Sequence, residues 1–337
     1  MPDPCRSPPC VAVGTDHHRS ARPLRENDIV PDDHTVRSRF APSPTGSLHL
    51  GNLRTALVSW LVARANGGAW IVRMEDLDRT TSSPDHEISQ LADLAAIGMV
   101  PDGDVVRQSE RFHLHRAAID RLRALDRVYE CYCTRREIRE ATRAPHGEEA
   151  PYPGTCRHLT AARRRAHRDA GRRPALRLRT DGERFGWHDL VAGERAGGVD
   201  DVVLERNDGV PAYNLAVVVD DALQGVTHVV RGDDLLSSTP RQRLLQQLLE
   251  LPEPVYAHVP LVLAPTGERL AKRHGAVTLV DLAARGTDAT AVLRRLATSL
   301  HLDGAPEVTP QHLLELAGSF RIDRIPHEPW QLTADDL

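Results

Sequence analysis

One stretch concentrates groups suited to holding an anion: Arg39-Phe40-Ala41-Pro42-Ser43-Pro44-Thr45-Gly46-Ser47-Leu48-His49-Leu50-Gly51-Asn52. β-Leaning residues from Thr35 to Phe40 lead into it, and two prolines and a glycine break the strand. Leu53, Ala56, Leu57, Trp60 and Leu61 then recur at helical spacing. Strand, elbow and helix in that order is how a parallel α/β sheet builds a crevice at its carboxyl edge. The helix start offers unpaired N–H groups and the positive end of the peptide dipoles, which suit a phosphate. Ser43, Gly46, Ser47 and Gly51 are small enough for a flat anionic ligand to lie against backbone, and His49 adds a side-chain donor. The pattern alone is also that of an ordinary first βα unit stiffened by prolines.

Other residues extend the chemistry. Ala69–Asp76 reads as a second buried strand that ends in acid, so Glu75 sits at its carboxyl end and can receive an ammonium. Asp208–Asp221 and Gly225–Asp234 each read as a tight turn with a β-branched run ending in charge, where a second half of the sheet meets the crevice. Tyr213 and Arg231 are their polar candidates, Arg231 as a bidentate carboxylate holder. Of 43 basic residues only Lys272 is a lysine. A lysine kept in so arginine-rich a chain points to a position that needs a compact ammonium. Cys131, Cys133 and Cys156 form C-x-C plus a third cysteine after a loop. Three thiolates and one further ligand would close a tetrahedral structural zinc site, with His146 or His158 as the chemically reasonable fourth.

Positioning these groups takes alternating strands and helices, hence a parallel sheet with right-handed crossovers. Ser82, Ser83 and Pro84 signal a helix start whose stripe of Ile88, Leu91 and Leu94 runs to Gly98. Helices follow at 110–125 and from Arg135, and residues 175–206 alternate as short antiparallel strands. The expected organisation is a disordered tail at 1–34, the first half of an α/β domain at 35–127 and an inserted α+β subdomain with the zinc site at 128–206. The second half of the domain at 207–275 and a short helical region at 276–337 complete it.

Hydrophobic residues make up 40% of the 337, which supports a core, and no apolar run reaches the ~20 residues of a membrane span. The N-terminal stretch has no apolar signal segment, so a cytoplasmic protein is expected, and monomeric by default. Five cysteines, an odd count, argue against a disulfide framework. Net charge is −4, so no global basic field announces a nucleic acid. Arginines nevertheless crowd the interval that holds Arg163, Arg164, Arg165, Arg168, Arg172, Arg173, Arg177 and Arg179 and can meet a phosphate backbone, or simply form a solvated face.

Arg39 to Asn52 closely resembles the first signature of class I glutamyl-tRNA synthetases, with His49-Leu50-Gly51-Asn52 in place of H-I-G-H. R-M-E-D-L-D-R around Glu75 resembles their R-I-E-D-T-D-R, Tyr213–Asp221 their Y-N-L-A-V-V-V-D-D, and Val230–Asp234 their V-R-G-x-D. Arg269-Leu270-Ala271-Lys272-Arg273 resembles K-M-S-K-S, with Arg269 and Ala271 as departures and Lys272 kept. The match runs from about Val36 to about Arg295. It implies a Rossmann-like catalytic domain that binds ATP with Mg²⁺, L-glutamate and tRNA. It further implies glutamate contacts from Arg39, Phe40, Ala41, Pro42, Ser43, Glu75, Tyr213 and Arg231. ATP contacts would come from Thr45, Gly46, His49, Gly51, Asn52 and Lys272, with His49 and Lys272 catalytic. Members with C-x-C…Y-x-x-x-C complete the zinc site with tyrosine, here Tyr152 beside Cys131, Cys133 and Cys156. The chain after Lys272 is short for a large anticodon-binding region. In this it resembles the branch that transfers glutamate to the queuosine base at the wobble position of tRNA(Asp). A truncated synthetase charging tRNA(Glu) and a non-catalytic RNA-binding paralogue are the alternatives.

Overall fold

The computed structural model describes residues 35–142, 152–270, 277–302 and 308–333, with backbone alone at 139, 140 and 142. β1 (Arg37–Phe40) is buried from Ser38 onward, and the elbow after it leads into α1 (Leu50–Ala65). That helix is buried on most of its surface, as a helix apolar nearly all round must be. Its fully buried Arg54 donates to the Pro260 and Ser299 carbonyls and to Ser299 Oγ, which ties it to the C-terminal part. β2 (Ala69–Met74) returns parallel to β1, with Arg37 opposite Ala69 and Phe40 opposite Val72. α2 (Pro84–Ala96) starts as expected: the Ser83 hydroxyl accepts from the Asp85 N–H and Pro84 occupies the first turn. β3 (Val106–Arg107) then pairs with β2, and α3 (Phe112–Ala124) follows.

β4 (Val128–Cys131), α4 (Arg135–Thr142), α5 (Ala161–Asp169) and β5 (Ala175–Leu178) come next. β6 (Arg184–Asp189) and β7 (Gly193–Gly198) form an antiparallel hairpin, and β8 (Val203–Glu205) joins β4 and β5 in a small antiparallel sheet. The hairpin attaches to the main sheet, where Asp189 of β6 lies opposite Tyr256.

Tyr213–Leu223 is a helix, α6, which corrects the expected β-branched strand run. Leu215 to Ala222 are all buried, and a continuous apolar run reads alike in a buried strand and a buried helix. β9 (His228–Gly232), α7 (Thr239–Leu249) and β10 (Val255–Val259) follow, with β9 and β10 parallel over five residues. β11 (Val262–Leu263), α8 (Leu279–Ala284), α9 (Ala289–Thr298), α10 (Leu313–Ser319) and β12 (Trp330–Gln331) close the chain, and β11 pairs with β12.

The main sheet runs β3-β2-β1-β9-β10-β6-β7 and is parallel except for the terminal hairpin. From the β1/β9 pair the chain winds outward in both directions, the switch point at which open α/β sheets bind ligands. Among the described residues no helix is long and apolar enough to cross a membrane.

Candidate active site at the carboxyl edge of the sheet

A crevice of about 630 Å³ opens at the carboxyl ends of β1, β2 and β9. Arg39, Phe40, Ala41, Pro42, Ser43, Thr45, Gly46, His49, Gly51, Asn52, Glu75, Tyr213 and Arg231 all line it. Residues 190 positions apart thus share one cavity. Lys272 lies outside the described residues, although Arg269 and Leu270 just before it reach the same wall.

The departure at Asn52 acquires a local reason. His49 caps α1: its Nδ1 accepts from the Asn52 N–H at 3.3 Å, while Asn52 Oδ1 accepts from the His49 N–H at 3.1 Å. This reciprocal box satisfies two otherwise orphaned donors at the helix start. With Nδ1 accepting, the proton resides on Nε2, and burial lowers the His49 pKa, so the neutral ring is a donor. A Cβ on Gly51 would stand 3.0 Å from His49 Cε1, so glycine there leaves the imidazole its place.

Two side chains of α2 brace the elbow from behind. Gln90 Nε2 donates to the Ser43 and Gly46 carbonyls at 3.1 and 2.7 Å, and Asp93 accepts from the Leu48 N–H. Neither was singled out in the sequence, since nothing local marks a helix polar group that turns inward. Asp93 is 7% exposed and its Oδ2 has no partner among the described residues. Burial pushes its carboxyl up to about 6. The native protein therefore holds that proton more tightly than the unfolded chain, and stability falls as pH rises from the unfolded value through about 6. Asp93→Asn keeps the acceptor and removes the charge, so it should raise the unfolding free energy by about 1–2 kcal/mol at pH 7.5 and by little near pH 4. Urea unfolding at the two pH values checks this, and an equal effect at both would refute it.

Charges alternate along the floor. Asp221 Oδ1 accepts from Arg39 Nε at 3.2 Å and from Arg73 Nη1 at 2.7 Å, and Arg73 Nη2 reaches Glu75 at 3.3 Å. Burial works against the Asp221 charge, yet Arg39 and Arg73 hold its carboxyl below the usual range. Burial pushes Glu75 up against the opposing pull of Arg73 and Arg39. The Tyr213 phenol is raised by burial and stays a neutral donor. Arg231 has a different shell, made of His258, Gln242, Thr239 and the Leu235 carbonyl. Asp221 and Arg73 fell within recognised motifs but were given no role; His258, Gln242 and Thr239 carried no sequence signal at all.

The family model for class I tRNA synthetases (E and Q), catalytic domain, matches residues 35–333. The chain belongs to this family. It is 56% identical to the glutamyl-Q tRNA(Asp) synthetase of Nocardia farcinica (strain IFM 10152), a match covering 89% of this chain and 94% of that protein. It is 48% identical to the glutamyl-Q tRNA(Asp) synthetase of Symbiobacterium thermophilum, with 89% and 96% covered. Among solved structures, the glutamate tRNA ligase of Elizabethkingia meningosepticum CCUG26117 in complex with its amino acid matches with a TM-score of 0.76 at 28% identity, covering 90% of this chain and 68% of that one. The mostly parallel sheet with its crevice is thus the class I tRNA synthetase fold, as the motifs led one to expect.

Within this synthetase fold the segment before Lys272 is a tight turn. The Ala264 N–H meets the Glu268 carbonyl at 2.8 Å and Gly267 takes φ +79°, a region that favours glycine. Arg269, one of the two departures, pairs with Asp234 of the V-R-G-D-D segment. The pair is largely exposed and worth little on its own, but it joins the segment to the rim of the crevice.

Cys131, Cys133 and Cys156 are free of disulfides and their sulfurs all lie within 4.8 Å of one another. The Tyr152 hydroxyl oxygen accepts from the Cys131 thiol at 3.3 Å and from the Cys156 N–H at 2.8 Å, and lies 3.7 Å from Cys133 Sγ. The Arg177 guanidinium sits 3.8 Å from the Tyr152 ring centroid. Among the described residues no histidine joins the cluster, and His146 lies outside them. His158 is exposed on the turn after Cys156 and lines a neighbouring cleft instead. Three convergent thiols and a phenol are a donor set for a soft, tetrahedral divalent ion.

Proposed function

We propose that this protein activates L-glutamate with ATP and transfers it to the queuosine base at the wobble position of tRNA(Asp). The observation that carries this is the gathering of two buried arginines, Glu75 and the α1 N-terminus in one crevice. The relatives named glutamyl-Q tRNA(Asp) synthetase, matched over 94% and 96% of their lengths, direct the choice of acceptor. Arg39 and Arg231 would hold the two carboxylates, Glu75 the ammonium and Tyr213 a polar end. A glutamate carboxylate oxygen attacks the α-phosphate of ATP and pyrophosphate leaves. A hydroxyl of the modified base then attacks the acyl carbon and AMP leaves. Both steps ask mainly for positioning and charge stabilisation. The α1 N–H groups, His49 Nε2–H and Lys272 supply the latter, and Mg²⁺ bound with ATP would add to it.

Cys131, Cys133, Cys156 and Tyr152 would hold one zinc ion that ties the end of β4 to the turn before α5. α5 beside it presents Arg163 and Arg165 to solvent, and residues 152–179 hold nine arginines against one aspartate in a chain of net charge −4. Such a face suits the tRNA backbone, and these substrates place the reaction in the cytoplasm. The match to a glutamate tRNA ligase favours a second reading, transfer to tRNA(Glu). Radiolabelled glutamate offered with tRNA(Asp), with and without queuosine, and with tRNA(Glu) separates the two. Label only on queuosine-bearing tRNA(Asp) is expected; label on tRNA(Glu) would establish the second reading, and no label on any would overturn both.

A further inference from the structure

Arg231 is 4% exposed, yet among the described residues it has no carboxylate partner. Its Nη1 donates to Gln242 Oε1 at 2.7 Å, its Nη2 to Thr239 Oγ1 at 3.0 Å, and its Nε to His258 Nε2 at 3.0 Å. An arginine Nε can only donate, so His258 Nε2 must present a lone pair and the ring proton must sit on Nδ1. That Nδ1–H meets Asp189 Oδ2, while Asp189 Oδ1 accepts from the backbone N–H of His258, Val191 and Ala192 at 3.0, 3.1 and 2.9 Å. Asp189 and His258 are each 1% exposed. The three side chains step across three neighbouring strands: Arg231 on β9, His258 opposite it on β10, and Asp189 on β6.

We propose that Asp189 and His258 are positioning residues for Arg231: the carboxylate fixes the imidazole tautomer, and the imidazole fixes the guanidinium that faces the crevice. Arg39, by contrast, is neutralised by Asp221. Through a neutral imidazole, Arg231 keeps its charge for a ligand carboxylate, with the acid two groups away. Burial, opposed by Asp189, lowers the His258 pKa, which agrees with a neutral ring. The relay also makes the β6–β7 hairpin part of the active site, since Asp189 ends β6. This inference rests on glutamate being the substrate.

Asp189→Asn is the decisive variant. The amide oxygen can keep the three backbone bonds, but its NH₂ now faces Nδ1 and forces the proton onto Nε2, donor against donor at Arg231. The KM for glutamate in ATP–pyrophosphate exchange should rise about ten- to a hundredfold, with the KM for ATP within about threefold, because a misplaced clamp penalises only the ligand it holds. His258→Gln, whose amide can accept from Arg231 and donate to Asp189, should recover most of the glutamate KM lost in His258→Leu. Imidazole nitrogen NMR should show the proton on Nδ1 in the wild type and on Nε2 in Asp189→Asn. The proposal is overturned by an unchanged glutamate KM in Asp189→Asn, or by glutamate and ATP parameters falling together with the melting temperature. It is equally overturned by Gln and Leu at 258 behaving alike. If the wild type shows no glutamate-dependent exchange, the substrate reading fails instead, and the NMR result still decides the tautomer.

Discussion

Lys272→Ala should slow glutamate-dependent ATP–pyrophosphate exchange by about 10²–10³ while leaving the KM for glutamate within about threefold. The charge that this step must stabilise develops on the transferring phosphate, whereas in the proposed reading glutamate would be held by Arg39 of β1, Glu75 just after β2, Tyr213 of α6 and Arg231 of β9. Two lines lead to Lys272: it stands at the retained position of the second synthetase signature, and it is the only lysine among 43 basic residues. The residues leading to it, Arg269 and Leu270, line the crevice. Lys272→Arg should recover only part of the rate, since a planar guanidinium cannot stand in for a compact ammonium at a crowded phosphate. An unchanged exchange rate in the alanine variant would remove Lys272 from the chemistry.

The largest stability effect is expected from Asp221→Ala, about 3–5 kcal/mol in unfolding free energy. One carboxylate oxygen serves two guanidiniums there, with Arg73 fully buried and Arg39 nearly so. Deleting it leaves two buried cations with only Glu75 between them and the crevice. Because the native Asp221 pKa lies below the unfolded value, the contribution is fully present above the unfolded pKa and is lost as pH falls through the native one. The wild-type advantage over Asp221→Ala should therefore hold near pH 7 and shrink in acid below about pH 4. Urea unfolding of both proteins at pH 7 measures it, and a difference below about 1 kcal/mol would show that the pair had been replaceable.

The parts of this protein legible in its sequence are those whose causes are local. The elbow after β1, the start of α2 at Ser83 and Pro84 and the C-terminal helices follow from turn chemistry, caps and helical spacing within a dozen residues. Three thiols at Cys131, Cys133 and Cys156 read as a candidate metal-binding set by type alone, whereas the place of the Tyr152 phenol beside their sulfurs is a matter of tertiary contact. Tyr213–Leu223 is a helix where its β-branched run suggests a strand, because burial of Leu215 to Ala222 makes the two indistinguishable by pattern.

Motif resemblance named the crevice residues, but their electrostatics came only with the tertiary structure. Arg39 and Arg231 are the same residue type at similar strand ends; one is neutralised by Asp221, 182 residues away, and the other is held through His258 by Asp189. Gln90 and Asp93 brace an elbow more than 40 residues behind them. Sequence spacing encodes which side chains share a helix face or alternate along a strand. Whether a buried cation meets a carboxylate, an amide or an imidazole is settled by which strands become neighbours, and that is decided by packing of the whole sheet.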